Sequence, residues 1–193
     1  AAMNPHRARL CQPGRTAAKV FSLAVLVAGL AVLMYPAVSK WHATSTHAQA
    51  VTEYSLHQPD SAFDQFETAR QANEVRDLET AGQALVVVGS DVRARVQVPA
   101  VDIDLPVYAT SSPDNLQRGA GILEGTSLPV GGAGTHAGIT AHSGMVTAFM
   151  FDRLDDVALG DHAYVEVLGQ TLAYSVISRA VDTPEDGAGR LQP

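Results

Sequence analysis

Cysteine is nearly absent from this sequence: one residue, Cys11, in 193. An intrachain disulfide is therefore excluded, and so is any Cys-x-x-Cys metal site. Acidic residues are missing altogether from positions 1–40, which hold Arg7, Arg9, Arg15, Lys19 and Lys40. The rest of the chain carries 8 basic residues against all 20 acids, a formal charge of −12. That asymmetry argues against nucleic acid as a partner, because tracking phosphates needs Lys and Arg clustered on the folded domain. It suits a membrane protein with a basic head and an acidic ectodomain. No P-loop, dinucleotide glycine fingerprint or internal repeat is present, and no cofactor is implied.

Charge is also missing from Val20 to Val38, a run of 19 residues. As a helix this run is roughly 28 Å long, close to the ~30 Å hydrocarbon core of a bilayer. Lys19 stands at one edge, and Tyr35, Pro36 and Trp41 mark the other, where aromatic rings favour the interface. Four basic residues before the span predict a cytoplasmic N-terminus and an extracellular remainder. The competing reading is a cleaved signal peptide, with Ala48-Gln49-Ala50 as its small-x-small site. That site lies far beyond the apolar run, and the run is long for such a segment. Cys11, on the inner side, reads as a free thiol or a palmitoylation site.

From Trp41 to about Asp91, Ala62, Phe63, Phe66 and Ala69 recur at helical spacing, with Asp60 or Ser61 as the cap. This segment reads as a stalk or packing helix without chemistry. Beyond Val92, short runs rich in Val, Ile and Tyr alternate with Gly, Pro and Asp, an all-β texture. The predicted strands are Ala94–Val98, Ile103–Tyr108, Ala137–Ala141, Ala163–Val167 and Thr171–Val181. Leu168-Gly169-Gln170 predicts a tight hairpin between the last two. Leu116–Gly119 and Met150–Leu154 predict short helical turns, and a β-barrel is the natural architecture.

Three blocks in this region carry more information than their periodicity. They are VPAVDIDLPVY from Val98, LQRGAGILEGTSLPVGGAGTHAGITAHSGM from Leu116, and FDRLDDVALGDHAYVEVLGQTLAYSV from Phe151. Together they resemble the class C, pilin-polymerising branch of the sortase family. The end of the apolar run, Met34 to Ser39, is similar to that family's membrane segment. The resemblance implies a sortase β-barrel and a Cys–His–Arg site. Such an enzyme cleaves an LPxTG-like sorting signal between Thr and Gly through a thioester. A lysine amine of a pilin subunit, or a cell-wall precursor amine, then resolves the thioester.

His142, in Thr140-Ala141-His142-Ser143-Gly144, falls where the family places its catalytic histidine. Thiolate attack on an amide leaves an amine that must be protonated, and an imidazole titrating near neutrality can do so. His136 lies six residues earlier, on the same face if the strand is regular. Two histidines raise the possibility of metal, but no third ligand stands at suitable spacing. The family carries a histidine here without using it as nucleophile or base, so a structural role is expected. Asp152, Asp155, Asp156 and Asp161 do not fit an EF-hand spacing and read as solvated acids. Glu124, Gly131 and Gly132 read as fold-setting.

Departures from the family pattern follow from the same residues. The family's Thr-Gly-His-Arg-Gly has Ala141 and Ser143 here, and no Asp-Pro dipeptide marks a lid. The nucleophilic cysteine expected after the TLAYSV block, and the arginine beyond it, are not among the 193 residues. The expected plan is therefore a basic tail over 1–19, a transmembrane anchor over 20–38 and a helical linker over 39–91. A sortase-type β-barrel lacking its last strands then occupies 92–193, so the fold is mainly β. The expected function is a sortase cysteine transpeptidase whose coding sequence continues to the missing Cys and Arg. The alternative is a non-catalytic relic, or a membrane-tethered peptide-binding module.

Overall fold

The computed structural model describes residues 14–181. Cys11, Arg7 and Arg9 lie outside the described residues. The chain divides into two units, Ala1–Val38 and Ser39–Pro193. In the first, helix α1 begins at Gly14 and carries the apolar run with its side chains exposed, Leu33 at 77%. It is the one helix, among the described residues, long and apolar enough to cross a membrane. Pro36 sits inside it, where its missing N–H removes one bond from the ladder.

Within the second unit α1 continues to Leu56. This stretch is rich in Ser, Thr and His, which ordinarily compete with helical backbone. Here Thr44, Ser45, Thr46 and Thr52 donate to the carbonyls four residues back, at 2.7–3.0 Å. Two further helices follow, α2 (Ala62–Glu74) and α3 (Leu78–Ala84). Helix α2 buries Phe66, Ala69 and Asn73, a spacing that keeps one stripe inward. Ser61 is its N-cap by position but makes no side-chain cap bond. Asp77 caps α3 by accepting from the Thr80 N–H at 3.1 Å.

Six strands form one curled, half-barrel sheet in the order β4-β3-β2-β1-β5-β6. They are β1 (Val92–Val98), β2 (Ile103–Tyr108), β3 (Ala120–Ile122), β4 (Ile139–Thr140), β5 (His162–Val167) and β6 (Gln170–Ser175). All neighbours are antiparallel except β2 and β3, which run parallel across helix α4 (Pro113–Arg118). Strand β1 alternates strictly, with Val92, Ala94, Val96 and Val98 buried. On its other face Arg95 donates to both carboxylate oxygens of Asp104, at 2.7 and 2.6 Å, and reaches Glu166 at 3.4 Å. This guanidinium fork staples β2 and β5 to the central strand.

Where strands differ from the sequence expectation, identifiable bonds are responsible. Strand β4 is only two residues long because Gly138 has already handed its N–H to the Thr126 hydroxyl, at 3.0 Å. Strand β6 stops at Ser175, and Arg179 then donates to the Asp155 and Val157 carbonyls. Val176 still bonds to Gly160 and Asp161 through its backbone, and no strand continues beyond it among the described residues. The predicted hairpin turn is Leu168-Gly169, with φ of 47° and 73°, between paired Val167 and Gln170. Leu168 accepts left-handed backbone because its side chain is fully buried and its N–H donates to the Tyr54 hydroxyl at 2.8 Å. That hydroxyl donates in turn to the Arg93 carbonyl at 3.0 Å, joining α1 to β1 and the β5–β6 turn.

Candidate active site

The segment leading to His142 is held by α2. Asn73 is fully buried, and its amide donates to the Leu128 and Gly131 carbonyls, each at 3.1 Å. Its oxygen accepts from the Leu128 N–H at 2.8 Å. The adjacent Glu74 accepts from the Ala133 N–H at 3.3 Å and pairs with Arg70 at 2.9 Å. Gly132 has φ of +117°, and a Cβ there would meet Glu74 Cγ at 2.7 Å. The backbone therefore needs glycine both for its angle and for the approach of α2.

From this clamp the chain returns toward β3. The Ser127 N–H donates to the His136 carbonyl at 2.9 Å, and the Leu123 N–H to the Gly138 carbonyl at 2.8 Å. His136 itself is exposed. It lines an open cleft of about 600 Å³ on the inner sheet face, floored by Val96, Val165 and Leu172. Among the described residues no three His, Cys, Asp or Glu side chains converge as a metal site. His142 stands two residues past β4, with its ring exposed to solvent. The strand is too short to carry the two histidines on one regular face.

Beyond His142 the backbone runs as an irregular loop, closed where the Phe151 N–H donates to the His142 carbonyl at 3.0 Å. Asp152 accepts from the Gly144 N–H at 2.8 Å and from the Met150 N–H at 2.7 Å. On the loop's outer side Lys40 places its Nζ 3.8 Å from the Phe149 ring centre. Behind it lies a cavity of about 320 Å³ lined by His47, Asp104, Phe149, Met150 and Asp152. His47 is 6% exposed. Burial lowers its pKa below the ordinary imidazole value, and the Asp104 carboxylate partly opposes this. The other acids act locally: Asp161 accepts from the Ala158 N–H, and Asp156 pairs with Arg153.

A sortase-domain family model matches residues 96–190, from the central strand through the β5–β6 hairpin and beyond. Among solved structures, sortase C of Streptococcus pneumoniae is 36% identical, covering 68% of this chain and 72% of that one, with a TM-score of 0.58. Sortase C-1 of Actinomyces oris is 32% identical over 69% of this chain and 82% of that one, at 0.60. The chain belongs to the sortase family. Its fold and half-barrel sheet are those of the class C branch, and its function is that of a sortase transpeptidase. A lid mutant of sortase A from Corynebacterium diphtheriae is also similar, 34% identical over 66% of this chain and 76% of that one, with a TM-score of 0.58. No curated protein matches.

Two residues of this sortase's histidine neighbourhood were not singled out for their role in the sequence. Asn73 lay in a segment read as packing without chemistry. Its position seven residues after Phe66 and four after Ala69 places a polar amide on the buried stripe, which was the available signal. Asp152 was grouped with three other acids, and nothing in its spacing separates it from them.

Proposed function

We propose that this chain belongs to a membrane-anchored enzyme that cleaves LPxTG-like sorting signals and passes the acyl group to an amine. The amine belongs to a pilin subunit or a cell-wall precursor. His142 acts as the proton carrier, and helix α1 over residues 20–38 spans the membrane with its N-terminus cytoplasmic. The observation carrying this reading is the position of His142: exposed, just beyond β4, on a half-barrel whose class C relatives are 32–37% identical. An imidazole there is free to exchange protons with substrate, as a buried ring such as His47 is not.

The chemistry balances around that ring. A cysteine thiolate attacks the Thr–Gly carbonyl carbon, and the tetrahedral intermediate collapses to a thioester as the C–N bond breaks. The imidazolium gives its proton to the departing glycine amine. The neutral imidazole then takes a proton from the incoming amine as that nitrogen attacks the thioester. The sequence's one cysteine precedes the apolar helix, so residues 39–193 supply the histidine and not the sulfur.

The test uses the full chain in detergent micelles with a fluorescent LPxTG peptide. Mass spectrometry is expected to detect no thioester on the chain itself. When a sortase-type strand pair bearing a cysteine and an arginine is joined after Pro193, a thioester is expected. His142→Ala then slows its formation by about 10²–10⁴-fold, the usual scale for a lost general acid. Equal rates with and without His142 would remove it from the mechanism.

A further inference from the structure

We infer that Asp152 is a positioning residue for His142, acting through the backbone of the loop that follows it. The inference rests on the reading of His142 given above. Its carboxylate accepts one N–H from each side of the loop: Gly144, two residues after the histidine, to Oδ1 at 2.8 Å, and Met150 to Oδ2 at 2.7 Å. Both lengths are those of charge-assisted bonds, roughly twice as strong as neutral ones. With the Phe151 N–H on the His142 carbonyl, the loop is fastened at three backbone points. Two of them depend on one side chain.

The surrounding loop has no helix or strand of its own, so its amides find no ladder partners. Gly144 sits at φ +78°, a left-handed angle that glycine adopts without steric cost. Asp152 is half-buried; its bond to Met150 is partly buried and its bond to Gly144 lies at the surface. None of the neighbouring acids shares this role among the described residues. Asp155 and Asp156 lie in the short turn Leu154–Asp156, and Asp161 bonds within its own turn. Asp152 bonds to the Gly144 and Met150 amides rather than to the imidazole, so its effect is on where the ring stands and how far it wanders.

The consequence is testable on the full chain in micelles by NMR. Asp152→Ala is expected to speed amide exchange at Gly144 and Met150 by about tenfold or more, the factor carried by one net hydrogen bond. It should also raise the mobility of the His142 ring, read from ¹³Cε1 relaxation, while β1 and β2 amides keep their protection. Asp152→Asn keeps one acceptor and should leave one of the two amides protected, with intermediate ring mobility. Asp155→Asn should change none of these. An unchanged His142 ring in Asp152→Ala overturns the inference. So does loss of the whole fold in both Asp152 variants, which would make the residue a general support. These readouts involve no acyl transfer. If the ring loosens yet His142→Ala leaves thioester formation intact in the chain joined to the cysteine-bearing strand pair, the positioning stands and the catalytic reading falls.

Discussion

Replacing Asn73 by alanine removes one side chain and leaves backbone groups on a different element without partners. The Leu128 N–H and the Gly131 carbonyl lose the amide at 2.8 and 3.1 Å. The Leu128 carbonyl loses it too but keeps the Val130 N–H at 2.8 Å. Two stranded groups at about 1–3 kcal/mol each give a cost of roughly 2–6 kcal/mol. Asn73 is fully buried and its neighbours Pro129 and Val130 are sealed, which keeps replacement water out and favours the middle of that range. For a unit of this size each kcal/mol lowers Tm by about 2–4 °C, so a fall of roughly 8–16 °C is expected. Asn73→Asp keeps the acceptor and loses both donors, and its deficit should shrink as pH falls and the protonated acid regains one. Near-UV circular dichroism gives the melting curve, and exchange of the Leu128 amide reports the local effect. A Tm within a degree of the parent, with Leu128 still protected, would refute the clamp.

Two further outcomes follow from buried groups in the same unit. His47 has its folded pKa depressed by burial, so the neutral ring is the form that fits. Its contribution is fully present above the unfolded imidazole value near ~6.5 and is lost as pH falls below it. Urea unfolding across that window should show stability dropping on acidification, and His47→Gln should flatten the slope. The charged residues lining the two cavities that His47 also lines are Arg95, Asp104, Asp102, Asp152 and Arg153, and Asp104 is the one that acts on its pKa, so the same titration in Asp104→Asn separates the two causes. Tyr54→Phe deletes the hydroxyl shared by the Arg93 carbonyl and the Leu168 N–H. A loss of about 1–3 kcal/mol is expected by chemical denaturation, with faster exchange at Leu168 as the local sign.

Much of the fold was legible because its elements carry their own periodicity. The alternation in Val92–Val98 and the Leu168-Gly169 turn needed no tertiary information. Strand β3 was not legible: Ala120-Gly121-Ile122 has little strand character. It exists because Gly121 lets the backbone pass so near Thr110 that a Cβ would clash with its carbonyl. The ends of β4 and β6 were misjudged for the same kind of reason. The Thr126 hydroxyl takes the Gly138 N–H just before β4, and just past β6 the Arg179 side chain bonds to the Asp155 and Val157 carbonyls, more than twenty residues away. At the site, the motif around His142 was legible as a resemblance, and the role it implies stands as a proposal. The amide and carboxylate that hold its flanking segments were not, since contacts to backbone impose no recognisable spacing.

That distinction bears on the departure of Thr-Ala-His-Ser-Gly from the family's Thr-Gly-His-Arg-Gly. If the histidine were placed by its immediate neighbours, Ala141 and Ser143 would be expected to displace it. Neither residue has a positive φ, whereas Gly144 does, so only the last glycine of the motif is conformationally required. The approach to the histidine is fixed by Asn73 through residues 128–131 and by the pairing of Gly138 with Leu123 and Thr126. The exit is fixed by Asp152 and by the bond from Phe151. All of these contacts end on main-chain atoms, which every residue possesses. The positions flanking His142 are thereby released to vary without loss of those contacts. Gly144→Ala should be the damaging change in this motif. It strains a left-handed angle by roughly 1–2 kcal/mol and turns the N–H away from Asp152. Ala141→Gly should cost about 1 kcal/mol or less, through backbone entropy alone. A thermal-melt comparison of the two variants, with His142 ring relaxation alongside, decides the matter: equal effects would return the placement of the histidine to its neighbours.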